Sequence, residues 1–479
     1  MKRYSLHCVL GLLCFFVAGC AGGPVAAKRD TSAKIVLLYV SDLHSQIVED
    51  HDDLGGYARL AQYIKSEREN AGPHTDVVVV IGGDLFGKGR VPCRETNDAA
   101  CAPLVSALTP DVVSFGNGEL KFPNRELAKL AEKTGGTWIG TNVASVRGAK
   151  FWKASHTYVG TKSGVSLAFV SNTVFPGPGE ARGGSQFDFA PTETFDSEYL
   201  AATKSGAAPI VIVHDDKKTL ETLAPRLCAQ AVKPLLVLKA HEHLEEQGKV
   251  ECLKYVEAGS FGRQVARVEI RKGAPSVDKV DLVKMDAKIP ADPALRERIA
   301  GLYKSAGHQA HRVLVKLNSA RDQDHVAKFL ALSYQKTSKA DIAIVNSGAV
   351  KDGLPAGQID WEMLMNVIPY NNQLMGLDWS TADLEKSLCL AARREKDRRL
   401  DNGADLVFFG AELKDAGKDK CRLVVNGGKR NPKIVVDSYM VARSARWLGK
   451  ELKGKTFSYG LDTERAVELG VERYGAKEL

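Results

Sequence analysis

Five apolar runs in the first half of the chain each give way, within a few residues, to an aspartate, asparagine or histidine, and no other feature constrains the fold as much. The runs are KIVLLYV (34–40), DVVVVIGGD (76–84), DVVSFGN (111–117), PIVIVHDD (209–216) and PLLVLKAHEH (234–243). Short Val- and Ile-rich runs bounded by glycine or charge read as buried strands. Between them, GGYARLAQYIKSERE (55–69) and RELAKLAEKTG (125–135) have helical spacing. Strands alternating with helices predict an α/β fold, in which ligand groups collect at the carboxyl ends of strands. RVEIRKGAPSVDKVDLVKM (267–285) predicts a closing hairpin, and ADPALRERIAGLYKSA (291–306) predicts a helix with Asp292 as N-cap ahead of Pro293. A second α/β unit follows, with strands at HRVLVKL (311–317) and ADIAIVNSG (340–348) and a helix at STADLEKSLCLAA (380–392) capped by Ser380 or Thr381.

The strand ends supply seven oxygen or nitrogen donors: Asp42 and His44 from SDLH, Asp84 from GGD, Asn117 from GN, His214 from IVH, and His241 and His243 from AHEH. Side chains spaced i, i+2 where a strand opens into a loop can converge on one ion. Two divalent cations bridged by one carboxylate need about this ligand set. A lone strand-end Asp is usually a turn residue, and a lone His usually a core or surface residue. The ordered series, each member after an apolar strand, is what points to metal.

In this order the motifs resemble those of the calcineurin-like metallophosphoesterases, and specifically the 5′-nucleotidase family. That family runs D-x-H, GGxxR-x-x-x-x-I, GD, GNHE-x-D, a lone His and GH-x-[HQ], where this chain has DLH, GGYARLAQYI, GGD, GNGEL, VH and AHEH. The likeness continues through DIAIVNSGAVKDGLPAGQIDWEMLMNVIPYNNQLMGLDWSTADLEKSL, which looks like the family's substrate domain with its N-G-G-G-I-R and P-F-x-N motifs. The resemblance implies a metallophosphoesterase-type β-sandwich flanked by helices over 32–290, a linking helix over 291–307 and an α/β substrate domain over 308–479. It implies two divalent metal ions, with Zn, Mn, Fe, Co and Ca all compatible with mixed N/O ligands. Asp42, His44, Asp84 and His243 would hold one ion, and Asp84, Asn117, His214 and His241 the other, with Asp84 bridging. Lys351, Tyr370 and Asn372 would contact a small phosphorylated substrate.

The chain also departs from the family. Gly118 stands where the family has a catalytic His, and Lys121 where that His has its Asp partner. Such a dyad assists the leaving oxygen, and acid–base assistance of this kind contributes roughly 10²–10⁴-fold. Lys351 replaces an Arg and cannot make a bidentate phosphate contact. The family's G-G-D-G segment is not recognisable; MVARSARWLGKELKGK (440–455) stands there, with Trp447 either stacking on a ring or buried.

Three readings follow from keeping the donors and losing the dyad. The chain is a hydrolase with altered or reduced catalysis on phosphate esters or anhydrides, nucleotides among them, with Lys121, Glu119, Lys88 or Glu242 as candidate acids. It is a non-catalytic, metal-dependent binder of phosphorylated ligands. Or its metals are structural, which retention of all seven donors disfavours most.

The first twenty residues, MKRYSLHCVLGLLCFFVAGC, read as a secretory signal, too short for a comfortable membrane span. VAGC resembles a bacterial lipobox, which implies lipid on Cys20. A tether over 21–31 and Ala21 after the cysteine then predict an envelope lipoprotein bound to the outer membrane. The formal charge of +8 falls to +6 without Lys2 and Arg3, a mild bias, and no basic run interleaved with aromatics predicts nucleic-acid binding. Of nine cysteines, six remain beyond Cys20, and an even count in an exported chain predicts disulfides. The sequence-nearest pairs are Cys93–Cys101, Cys228–Cys252 and Cys389–Cys421, one of fifteen possible connectivities.

Overall fold

The computed structural model describes residues 33–479 apart from 51, 88, 149, 177–185, 273–274, 307–308, 398–405, 416–420, 450–451 and 453–455. The signal segment, Cys20, the tether and Lys88 lie outside the described residues. In the strand Lys34–Val40, Ile35, Leu37 and Tyr39 face one way and Val36, Leu38 and Val40 the other, and all six are buried. A strand with two apolar faces needs a layer on each side. The first layer is a second sheet, since Ile35, Leu37 and Tyr39 share a core with Leu167, Phe169, Ile210, Ile212 and Leu238. The second layer is helical, since Val36, Leu38 and Val40 pack with Leu60 and Ile64 of helix Tyr57–Asn70 and Leu127 of helix Asn124–Thr134.

The result is a sandwich of two six-stranded sheets flanked by helices. In the first sheet, Lys34–Val40, Thr75–Ile81, Val112–Ser114 and Thr137–Ile139 run parallel, and the hairpin Gln264–Arg271 with Ser276–Lys284 closes one edge antiparallel, as the sequence predicts. In the second, Ala208–His214 lies parallel between Ser166–Thr173 and Leu236–Ala240. Parallel pairing sends the carboxyl ends of neighbouring strands to the same side. The strands are shorter than the apolar runs suggest. Thr75–Ile81, Val112–Ser114 and Leu236–Ala240 end before Asp84, Asn117 and His241, which therefore sit on loops, while His214 is the last residue of its strand.

Helix Pro293–Ala306 begins as expected, with Asp292 Oδ1 accepting the Leu295 N–H at 2.8 Å. Leu295 and Ile299 enter the first core, and the Tyr303 hydroxyl donates to Glu362 Oε1 (2.7 Å) in the second α/β unit. There a mixed sheet of Leu406–Phe409, Ile342–Asn346, Ile434–Asp437, Gln373–Leu377 and Thr456–Asp462 packs against helices Gln323–Ser338 and Thr381–Asp397. Val313–Leu317 is a strand, but it pairs with Gly357–Asp360 outside that sheet. Ser380 rather than Thr381 caps its helix, accepting the Asp383 N–H at 3.1 Å. The disulfides are Cys93–Cys101, Cys228–Cys252 and Cys389–Cys421, with Cα atoms 5.4, 5.8 and 5.6 Å apart.

Candidate metal centre

The loops after the first two parallel strands are stitched together by their own backbone. The Asp42 N–H donates to Gly83 O and the His44 N–H to Asp84 O, each at 2.9 Å. Gly116 makes the third loop fit, because a Cβ there would lie 2.3 Å from Asp84 Oδ1 and 2.7 Å from His214 Cε1. Asp42, His44, Asp84, His241 and His243 all have positive φ, at 52°, 45°, 48°, 92° and 63°. Such backbone costs on the order of 1–3 kcal/mol per residue and persists where the surroundings over-determine it, typically at functional sites.

These loops bring the donors together. Asp42, His44 and His243 each turn one ligand atom into a cluster within 4.8 Å, and Asp42, Asp84 and His214 form a second. Asp84 straddles the two, with Oδ2 3.5 Å from His44 Nε2 and Oδ1 3.5 Å from His214 Nε2. The resemblance assigns the shared position to Asp84; in the structure Asp42 is central as well, 3.3 Å from His243 Nε2 and 3.9 Å from His214 Nε2. The His241 ring stands beside that of His214, centroids 5.3 Å apart. Asn117 Oδ1 is buried with no hydrogen-bond donor upon it, which suits a ligand oxygen.

The electrostatics ask for cations. Asp42, Asp84 and Glu119 carry carboxylates into one almost fully buried region. Buried charges are tolerated when paired or when they coordinate metals. Burial alone would raise the Asp42 pKa, but His214 and His243 outweigh it and hold the group well below the usual carboxylate range. Burial lowers the His214 pKa, and Asp84 and Asp42 more than reverse this, raising it to about 10. This donor set of carboxylates and imidazoles fits divalent ions. His214 Nδ1 faces Gly82 O at 2.9 Å, the outer contact that orients a ligating imidazole.

Two of the candidate acids are otherwise engaged. Glu119 is not at the surface. It is fully buried, and it accepts N–H bonds from Asp84 (2.9 Å), Leu85 (2.8 Å), Phe86 (3.0 Å) and Gly116 (2.8 Å). It braces the loops of Asp84 and Asn117; burial, and then the nearby Asp84 carboxylate, raise its pKa to about 8. Glu119→Gln is expected to destabilise the metal-free chain by about 3 kcal/mol, since each buried N–H left without an acceptor costs roughly 1–3 kcal/mol; urea unfolding measures it. Glu242 pairs with Lys239 and accepts the Lys217 N–H. Lys121 ends the short turn Glu119–Lys121 and is half-buried. Gly118 offers its N–H, which donates to Asp84 Oδ1 at 2.5 Å.

In the second unit, Lys351 is exposed and sets its ammonium 5.0 Å from the Tyr370 ring centre, while Asn372 Nδ2 donates to Asp437 Oδ2 at 3.2 Å. Trp447 does not offer a stacking face. It is buried in the core with Leu384, Leu388 and Met440.

Fold and clustered donors together define a two-domain α/β protein with a candidate metal centre at the ends of its strands. Residues 305–419 match the family model described as the 5′-nucleotidase C-terminal domain. The 5′-nucleotidase of Vibrio vulnificus is 22% identical over 482 residues, spanning 86% of this chain and 85% of that relative. The 5′-nucleotidase precursor from Thermus thermophilus shares the fold with a TM-score of 0.75 at 15% identity, over 93% of this chain and 97% of its own. The sulfate thiohydrolase SoxB of the same organism does so with a TM-score of 0.70 at 14% identity, over 93% and 95%. Over most of its length the chain is thus similar to 5′-nucleotidases, and residues 305–419 match that family's C-terminal domain.

Proposed function

We propose that this chain is an exported, lipid-anchored, two-metal phosphohydrolase with altered catalysis, acting on esters or anhydrides whose leaving groups depart without an acid. The observation that carries the reading is the convergence of Asp42, His44, Asp84, His214 and His243, from separate strand ends, into two overlapping donor clusters. Asn117 and His241 complete the set as ligands. When bound there, two divalent ions supply charge stabilisation at the reacting phosphoryl group and activate water. The protein's own part is to fix the donors on over-determined loops and to hold the buried carboxylates in place. Tyr370 and Asn372 offer a ring and an amide to the rest of the substrate, and Lys351 a point charge. One structural neighbour is named a sulfate thiohydrolase, so the fold by itself does not specify the atom attacked.

A second reading, a metal-dependent binder of phosphorylated ligands, draws on a specific observation. Glu119 and Glu242 are tied up elsewhere, and position 118 contributes only a backbone N–H. The envelope location rests on the signal-like first twenty residues and Cys20, and three disulfides suit an oxidising compartment.

Phosphate release by the purified mature chain separates the readings. The panel is nucleoside mono- and diphosphates, sugar phosphates and aryl phosphates, each with Mn²⁺, Zn²⁺ or chelator. Metal-dependent turnover favouring aryl phosphates and anhydrides is expected. A folded, metal-loaded chain that releases no phosphate from any of them is the binder.

A further inference from the structure

The turn that carries His241 and His243 is gripped from behind. Lys239, on the strand Leu236–Ala240, is fully buried. It pairs with Glu257, its direct partner on the parallel strand Leu253–Ala258 and equally buried, and with Glu242. The same Glu242 Oε2 accepts the N–H of Lys217, first residue of helix Lys217–Cys228, at 3.0 Å. The Tyr39 hydroxyl donates to Lys239 O at 2.7 Å, so the strand under the turn is anchored to the facing sheet as well. Glu242 is the residue between two histidines whose φ values, 92° and 63°, L side chains rarely adopt. Its carboxylate is thus held by Lys239 and the Lys217 N–H between two residues of positive φ.

We propose that Lys239 and Glu242 are positioning residues that hold His241 and His243 in the conformation presenting their imidazoles to the metals, an inference that rests on the metal-centre reading above. The physical reason is that charge-assisted hydrogen bonds in a buried setting are strong and directional. For stability alone, apolar residues of similar size would serve as well as a buried ion pair, so the lysine is explained by the geometry it imposes. Outer partners of metal ligands typically change metal affinity 10–100-fold when removed.

The test titrates Co²⁺ into the full metal-free chain against a competing chelator, reading affinity and the visible spectrum of the bound ion. The variants are Glu242→Gln, whose side chain is 32% exposed, and Lys239→Met combined with Glu257→Gln, which removes both charges of the fully buried pair. The expected result is Co²⁺ affinity 10–100-fold weaker in both, with an altered spectrum, while the urea midpoint of metal-free Glu242→Gln stays at the parental value. Parental affinity and spectrum in both variants overturn this proposal alone. Weaker binding that only tracks a lower metal-free stability also overturns it, since the clamp is then a structural brace. A parent chain that binds no Co²⁺ overturns the metal-centre reading together with it.

Discussion

Asp84→Ala is expected to reduce metal-dependent phosphate release by roughly 10³-fold or more, because outer partners of ligands alone account for 10–100-fold and Asp84 touches both clusters. Its two oxygens face His44 and His214 at 3.5 Å each, so one substitution removes a donor from each side. It also strips the Gly118 N–H of its acceptor and leaves Asp42 as the remaining carboxylate between the histidines. The measurement is phosphate release with and without chelator, beside metal content by elemental analysis. Loss of activity with both metals retained would assign Asp84 to some role other than holding them. Full activity would remove the two-metal site from the reaction.

Gly118→His with Lys121→Asp is expected to raise kcat/KM on nucleoside monophosphates by roughly 10²–10⁴-fold while changing aryl phosphates by less than about tenfold. A ribose alkoxide is a poor leaving group that needs a proton; a phenolate is not. The backbone permits the change. Gly118 has φ −61° and ψ −46°, ordinary right-handed geometry that any residue adopts. A Cβ there meets Asp84 Oδ1 at 2.8 Å and Cγ at 3.2 Å, so the end of one carboxylate has to turn. Equal stimulation of both substrate classes would show that leaving-group protonation was not what the parent lacked. No stimulation, with metals bound, would place the defect in the altered second domain, where Lys351 covers Tyr370.

The layered α/β fold and the donor series were legible because both are local patterns. Alternating burial in KIVLLYV, the capping Asp292 and the ordered DLH, GGD, GN, VH and AHEH each occupy a few consecutive residues. The sequence-nearest cysteine pairing, one of fifteen open to the sequence, is the one the structure has. Strand ends were overrun at Asp84 and His241, because positive φ values break the strand where the apolar pattern alone shows no stop.

Which chemical groups stand at the strand ends, in what order, and that no His stands at 118 can be read along the chain. Which charges are available there depends on how the chain packs. Glu119 lies two residues from Asn117 and looks like a candidate acid, yet its oxygens are filled by N–H groups from a loop more than thirty residues away. Glu242 sits between two histidines, yet Lys239 and the start of a distant helix draw it away from them. Trp447 stands where an aromatic platform was sought, yet it packs into the core. In each case burial and pairing across space decide, and neither is encoded in the spacing of neighbours along the chain.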